Sequence, residues 1–317
     1  MALYQTLEAH EVTLVAEASP ISAWKASKND VELNGFRQAH LQDAIAFCAF
    51  WYECETDAAL TERSETALVS RLQQSRQRQP DYICDSFETI MGAGPNGAII
   101  HYRAIAGQDS LIQNDSLLLI DSGGHYKTGT TDITRTLAVG TPTPEMRHAY
   151  SAVLAAHIAL AMAAFPTGTD GAALDAICRA PLWAQGLDFA HGTGHGVGHI
   201  LSVHEGPAHI SKRGRIPLET AMILSNEPGY YKEGAFGIRL ENLVAVTPPE
   251  KGFHRFETLT FVPFERDLID TALLGAEAVG WLDRYHANVA ELLLPHLASE
   301  EMASWLQTKC APLGNEG

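Results

Sequence analysis

Two acidic pairs, each set symmetrically inside a strand-turn-strand stretch, limit what this chain can fold into. In LLLIDSGGHYKTGTTDITRTLAVG, residues 117–140, β-rich runs flank a Gly/Lys/Thr turn, the pattern of a hairpin. Asp121 and Asp132 are symmetric about the midpoint of Tyr126 and Lys127. An unbulged hairpin would set them face to face, with Cβ atoms about 4.5–5.5 Å apart. Two facing aspartates repel, and aspartate is a poor strand former. A cation between them accounts for the pair; a bulge or an exposed turn that separates them is the alternative reading.

The arrangement recurs in SNEPGYYKEGAFGIRLENLVAV, residues 225–246, where Glu227 and Glu241 are symmetric about Gly234. An odd-numbered loop with a central glycine is an established hairpin form. Four carboxylates gathered without cations would force at least one to keep its proton. Two divalent ions would compensate the charge, and an oxygen-rich shell favours hard metals such as manganese or magnesium. Between the hairpins lies HGTGHGVGHILSVHEGP, with His191, His195, His199 and His204 among four alternating glycines. A lone histidine is usually structural; beside four acids an imidazole ligand is the better reading. His101 stands just upstream of the first hairpin. The chain has neither an HExxH helix nor a GxSxG elbow, and the glycines of the histidine segment do not complete a dinucleotide fingerprint.

The rest of the chain predicts an α+β domain. A short strand is expected over residues 11–16. Helical periodicity begins near Phe36, and Thr61 is expected to cap a second helix. Strands are expected over residues 99–102 and 117–120. Thr143-Pro144-Glu145 opens a helix whose apolar body runs to Phe165, and residues 170–185 form the next, with Pro181 inside it and Gly186 as its stop. Strands over 221–224, 238–246 and 256–262 precede helices over 273–297 and from Ser299. A formal charge of −16 argues against a nucleic-acid partner. Five cysteines without CxxC spacing argue for a reducing compartment. The longest apolar stretch, 152–165, is interrupted by His157 and is too short to span a bilayer. With no signal-peptide core, a cytoplasmic, membrane-free protein is expected.

Four runs, GPNGAIIHY, LIDSGGHYKTGTTDITRT, HGTGHGVGHILSVHEGP and NEPGYYKEGAFGIRLENL, closely resemble Xaa-Pro aminopeptidase (aminopeptidase P), of the pita-bread metallopeptidase group. The resemblance implies a pita-bread fold with two pseudo-symmetric halves around a dinuclear site. Asp121, Asp132, His195, Glu227 and Glu241 match the metal ligands, with Asp132 and Glu241 as bridges. His101, His191 and His204 match histidines that hold the substrate and assist the transition state; Arg239 matches an arginine behind a ligand, and Tyr231 a tyrosine near the site. His199 matches no role.

The implied reaction is hydrolysis of the bond between an N-terminal residue and a penultimate proline. It would use two divalent ions, Mn2+ first and Zn2+ or Co2+ as alternatives. Peptides with proline at the second position would be the partners, and a homodimer is admitted. A proline dipeptidase is the alternative activity; a non-catalytic pita-bread domain that binds peptides or proteins is the alternative class. Residues 1–30 are expected to be a linker or remnant of an N-terminal region, and residues 31–317 the catalytic domain. Three expectations are open to the structure. The five ligand side chains converge. Their crowding raises at least one carboxyl pKa. At least one ring of Phe50, Trp51 and Tyr52 faces solvent or a second chain.

Overall fold

The computed structural model describes residues 2–10, 12–15, 17 and 19–313. Helix α1 covers Ala2–Ala9 and α2 Pro20–Ala26. Of the strand expected at 11–16, residues 12–15 are irregular, and residues 11 and 16 lie outside the described residues. Helix α3, Asp30–Thr56, starts on a capping box: the Asn29 side chain accepts from the Glu32 amide and the Glu32 carboxylate accepts from the Asn29 amide. It buries Phe36, Ala39, Phe47, Cys48, Phe50 and Trp51. Phe50 and Trp51 are therefore core residues. Tyr52 is half-buried, its ring 5.9 Å from and steeply inclined to Trp305, so the aromatic run presents no exposed docking face.

The next helix, α4, covers Glu65–Gln77 and is capped by Ser64, which accepts from the Ala67 amide. Thr61 sits instead in a single 3-10 turn, Leu60–Glu62, because Arg63 is extended and interrupts the helical path. A three-stranded antiparallel sheet follows, with Ser116–Ser122 between Ile90–Ala93 and Ile133–Val139. Residues 99–102 are not a strand: Gly94–Ala98 forms a 3-10 helix and the chain then turns, Tyr102 N–H donating to the Ile99 carbonyl.

The second half repeats this order. Helix α5, Pro144–Ala161, carries its proline in the first turn and a Thr143 cap. It stops before Phe165, which joins the short strand Phe165–Pro166. Helix α6, Gly171–Ala184, is capped by Asp170 and continues through Pro181. Its exit uses Gly186 at φ 72°, a left-handed position that glycine takes at no steric cost. A second three-stranded antiparallel sheet has Asn242–Val246 between Ile223–Asn226 and Phe256–Thr258. The strand expected over 238–246 is two strands, Phe236–Arg239 and Asn242–Val246, parted at Leu240 and Glu241. Helix α7, Thr271–Leu293, kinks at Gly275, and α8, Glu300–Lys309, is capped by Ser299. Two helices and a three-stranded sheet thus occur twice. The halves meet where Thr134 of the first pairs with Glu241 of the second.

Candidate metal centre

The second hairpin keeps the register its symmetry predicts. Gly229 faces Arg239, Lys232 faces Phe236, and Asn226 faces Asn242, so Glu227 and Glu241 occupy equivalent positions on opposite strands. Its loop is residues 233–235, with Gly234 at φ 71°. The first hairpin does not follow its predicted register. Tyr126 faces Gly129 across a Lys127-Thr128 turn, and Asp121 faces Thr134 rather than Asp132. Asp132 therefore stands two positions away from Asp121's partner. An even offset keeps both side chains on one face of the sheet, so the two carboxylates still meet.

One cavity of about 290 Å³ is lined by Asp121, Asp132, His195, Glu227 and Glu241, together with His101, His191, His204 and Arg239. Ligating atoms of Asp121, Asp132 and Glu241 lie within 4.8 Å of one another, as do those of His195, Glu227 and Glu241. Glu241 is common to both groups. Asp132 reaches the second through His195, whose Nε2 is 3.4 Å from Asp132 Oδ2 and 3.5 Å from Glu227 Oε1. His195 Nδ1 is 3.0 Å from the Gly196 carbonyl, which leaves Nε2 as the ring nitrogen free for the cavity. His204 also comes within 4.8 Å of Asp132 and His195, and its ring stands edge-on 4.2 Å from that of His195.

The carboxylates fit a cationic guest. Asp121 Oδ1, Asp132 Oδ1 and Glu241 Oε1 are buried without a hydrogen-bond partner among the described residues. A buried carboxylate oxygen with no donor is costly unless a cation completes it. Without a cation, burial raises Asp132 to about 7, with the Asp121 and Glu227 charges adding to it. Burial, then Asp132, Glu227 and Asp121, holds Glu241 well above the usual carboxylate range, and burial also raises Glu227. For His195 burial acts downward, but Asp132 and Glu227 outweigh it and lift the imidazole to about 9. The crowding foreseen from the sequence is present, with desolvation as its larger part.

Arg239 orders the rear of the site. Its Nη2 donates to Asp121 Oδ2 at 2.6 Å, its Nη1 to the Tyr231 hydroxyl at 2.7 Å and its Nε to Thr134 Oγ1 at 3.3 Å. Tyr231 is 2.8 Å from His191 Nε2, and His191 Nδ1 is 2.7 Å from the Gly192 carbonyl. Burial, and then Arg239, lowers the His191 pKa to about 4, so this imidazole is neutral near pH 7 and its Nε2 accepts a hydrogen bond from the Tyr231 hydroxyl. His101 lines the cavity from an exposed turn. His199 is remote from this work: its Nε2 donates to the Thr128 carbonyl and its ring packs on Phe36, bracing the first turn.

Several residues escaped the sequence reading. Thr134 donates from Oγ1 to Glu241 Oε2 at 2.8 Å, linking a carboxylate of one half to a strand of the other. Buried Arg135 donates to the Thr134 and Glu241 carbonyls, and His157 bonds the Leu240 carbonyl while its own carbonyl accepts from Asn226. Phe87, Ile90 and Ile100 supply the cavity's apolar wall. DITRT, which contains a candidate ligand, offered a signal for Thr134 and Arg135, and Ile100 stands beside His101 in GPNGAIIHY; Phe87, Ile90 and His157 come from segments outside the four runs.

Carboxylates and one imidazole facing a common cavity define a centre built for divalent cations. Residues 34–248 match Metallopeptidase family M24, and residues 252–313 match the C-terminal region of peptidase_M24. The chain belongs to Metallopeptidase family M24 and has the pita-bread fold of its structural relatives. It is 44% identical over 308 residues to a probable Xaa-Pro aminopeptidase P of Laccaria bicolor, covering 93% of this chain and 48% of the relative. It is 46% identical to aminopeptidase P2 of Arabidopsis thaliana, covering 93% of this chain and 43% of the relative. The crystal structure of an X-prolyl aminopeptidase of Caenorhabditis elegans, described as a cytosolic enzyme with a di-nuclear active site, superposes with a TM-score of 0.90 at 33% identity. That match covers 98% of this chain and 56% of the nematode one. The chain spans about half the length of the curated relatives it matches.

Proposed function

We propose that this chain hydrolyses the bond between an N-terminal residue and a penultimate proline, as an Xaa-Pro aminopeptidase, with residues 31–317 as the catalytic unit and residues 1–30 as the linker leading into it. The observation that carries the reading is the shared cavity, where carboxylate oxygens without partners stand beside an apolar wall of Phe87, Ile90 and Ile100. Asp121, Asp132, His195, Glu227 and Glu241 are the proposed ligands of two divalent ions, Asp132 and Glu241 bridging. Mn2+ suits a shell of four carboxylates and one imidazole; Zn2+ and Co2+ are the alternatives. Such ions supply a water of lowered pKa and polarise a carbonyl.

The chain's own groups do the rest. Arg239 holds Asp121 in place. His191, neutral and aligned by Tyr231, lines the part of the cavity proposed to receive the proline. His204, exposed at the cavity beside His195, is placed to donate to a developing oxyanion. Glu227, whose pKa burial raises, is the proposed proton shuttle. Peptides are the proposed partners; the −16 charge disfavours nucleic acid. No helix among the described residues is long and apolar enough to cross a membrane, and all five cysteines are free. The cytosolic description of the nematode relative supports a cytoplasmic location. Solution sizing tests the homodimer.

The deciding experiment adds Mn2+ back to metal-stripped protein and compares Xaa-Pro dipeptides, Xaa-Pro-Pro tripeptides and longer peptides. Release of the N-terminal residue from tripeptides and longer substrates is expected. Cleavage of dipeptides alone would make the chain a proline dipeptidase. Tight peptide binding without cleavage would leave a non-catalytic binding domain.

A further inference from the structure

The turn that carries Ile100 and His101 lacks regular structure and a core of its own. Ile99 is 53% exposed and Ile105 50%. A segment with so little apolar burial must take its shape from polar contacts. Those contacts converge on Glu65, the first residue of α4, whose exposure is 0%. Its Oε1 accepts from the Ala93 amide and Asn96 Nδ2, both at 2.8 Å. Its Oε2 accepts from the Tyr102 hydroxyl at 2.7 Å and the Ser110 amide at 3.0 Å. No cation pairs with Glu65 among the described residues, so four donors from one loop compensate its burial.

The loop is also pinned at its far end. Glu65 N–H donates to the Ser110 carbonyl, Thr66 binds Asp109 Oδ2 through both its amide and its hydroxyl, and Ile112 N–H donates to the Arg63 carbonyl. Across the loop, Gly97 rests on the second hairpin so closely that a Cβ on Gly237 would lie 1.7 Å from the Gly97 carbonyl oxygen. The loop is thus gripped between α4 and the second hairpin, with Ile100 and His101 projecting over the cavity. Burial, and then Glu65, holds the Tyr102 pKa above the usual phenol range, which keeps the hydroxyl a donor.

We infer that Glu65 is a positioning residue for substrate binding: it sets the shape of the 93–110 loop and through it the placement of His101 and Ile100 at the mouth of the cavity. The inference rests on the aminopeptidase reading for its kinetic consequence but on geometry alone for the loop. It involves none of the candidate metal ligands.

The test is a double-mutant cycle of Glu65→Gln with His101→Ala in the full chain reconstituted with Mn2+. Glutamine retains the volume but presents an amide donor where one loop donor needs an acceptor. Glu65→Gln is expected to lower kcat/KM on an Xaa-Pro-Pro tripeptide about tenfold. The double variant should be no worse than His101→Ala alone. Hydrogen exchange should quicken across residues 93–110 and stay unchanged in 223–246, with Mn2+ affinity preserved. Independent, multiplying losses would overturn the inference. So would a parallel fall of Mn2+ affinity and protection in both hairpins, which marks a general structural role. If Glu65→Gln does not fold, Tyr102→Phe removes one of the same bonds and takes its place in the cycle. A wild-type chain that cleaves no Xaa-Pro peptide would defeat the functional reading by itself, while hydrogen exchange still decides whether Glu65 holds the loop.

Discussion

The two acid-bearing hairpins look alike in sequence and are built differently. The second turns on residues 233–235 around Gly234, and nothing lies within 4 Å of where a Cβ on that glycine would be. Its register follows from local sequence. The first turns on Lys127 and Thr128 against helix α3: a Cβ on Gly35 would come within 2.2 Å of the Thr128 carbonyl oxygen, and Gly129 abuts Phe36. His199 holds the same carbonyl. There the turn is chosen by packing, and the symmetric reading misses it by two positions. The error leaves the candidate site intact because side chains alternate with a period of two along a strand. Convergence of carboxylates is thus more robust to register than facing pairs are.

The largest expected effect treats the hairpins as equals. Asp132→Ala in the first and Glu241→Ala in the second should each abolish turnover and release bound metal, well beyond the roughly 10–100-fold cost typical of residues that only support a ligand. Metal content after dialysis and kcat/KM measure both. A variant of either hairpin that keeps full metal and activity would break the equivalence.

Next comes support. Arg239→Met removes the partner of Asp121 Oδ2 at 2.6 Å and leaves the first hairpin's carboxylate buried without it. Metal affinity should fall by about 10–100-fold. Ser225→Ala, which removes the 3.2 Å contact to Glu227 Oε1 in the second hairpin, should cost less. Titration of the metal-stripped variants with Mn2+ ranks the two, and the reverse order would refute the assignment of Arg239 as the main support.

Protons sharpen the comparison further. Without metal, Asp132 stands at about 7 and His195 at about 9, and both must shed protons to ligate. Mn2+ affinity should therefore rise from pH 6 to pH 9, by about tenfold per pH unit for each proton displaced. Below about 7 the Asp132 proton adds to that of His195, and Glu241, which burial also holds well above the usual carboxylate range, adds its own. Calorimetry in two buffers of different ionisation enthalpy counts the protons. A flat profile would mean that these groups do not share the metal.

The smallest effect is at the second turn. Gly234→Ala places a Cβ at φ 71° in open space, so only backbone strain of about 1 kcal/mol is expected, with Mn2+ affinity unchanged. Urea unfolding reads the loss. A much larger one would show that this turn, like the first, depends on packing.

Much of the candidate site was legible because its residues fall in four short motifs, and hairpin symmetry brought attention to both acid pairs. The helix starts at Pro144, Gly171 and Glu300 carried their caps and prolines in adjacent residues. Residues 99–102 read as a strand because Ile99, Ile100 and Tyr102 have strand character; their turn is imposed by Glu65, more than thirty positions earlier. The exposed aromatic face expected on α3 failed for a similar reason, since α8 brings Trp305 against Trp51 and Tyr52.

The sequence by itself determined which residues are candidates to bind a cation, the α+β pattern, and the register of the hairpin whose turn is free of contacts. Tertiary structure decided the register of the other hairpin, the shape of the His101 loop, and the cross-half bonds of Thr134, Arg135 and Arg239. Spacing and caps act over a few residues and can be read from the chain. A buried hydrogen bond or a close backbone approach depends on partners a hundred positions away, and only the folded chain brings them within reach.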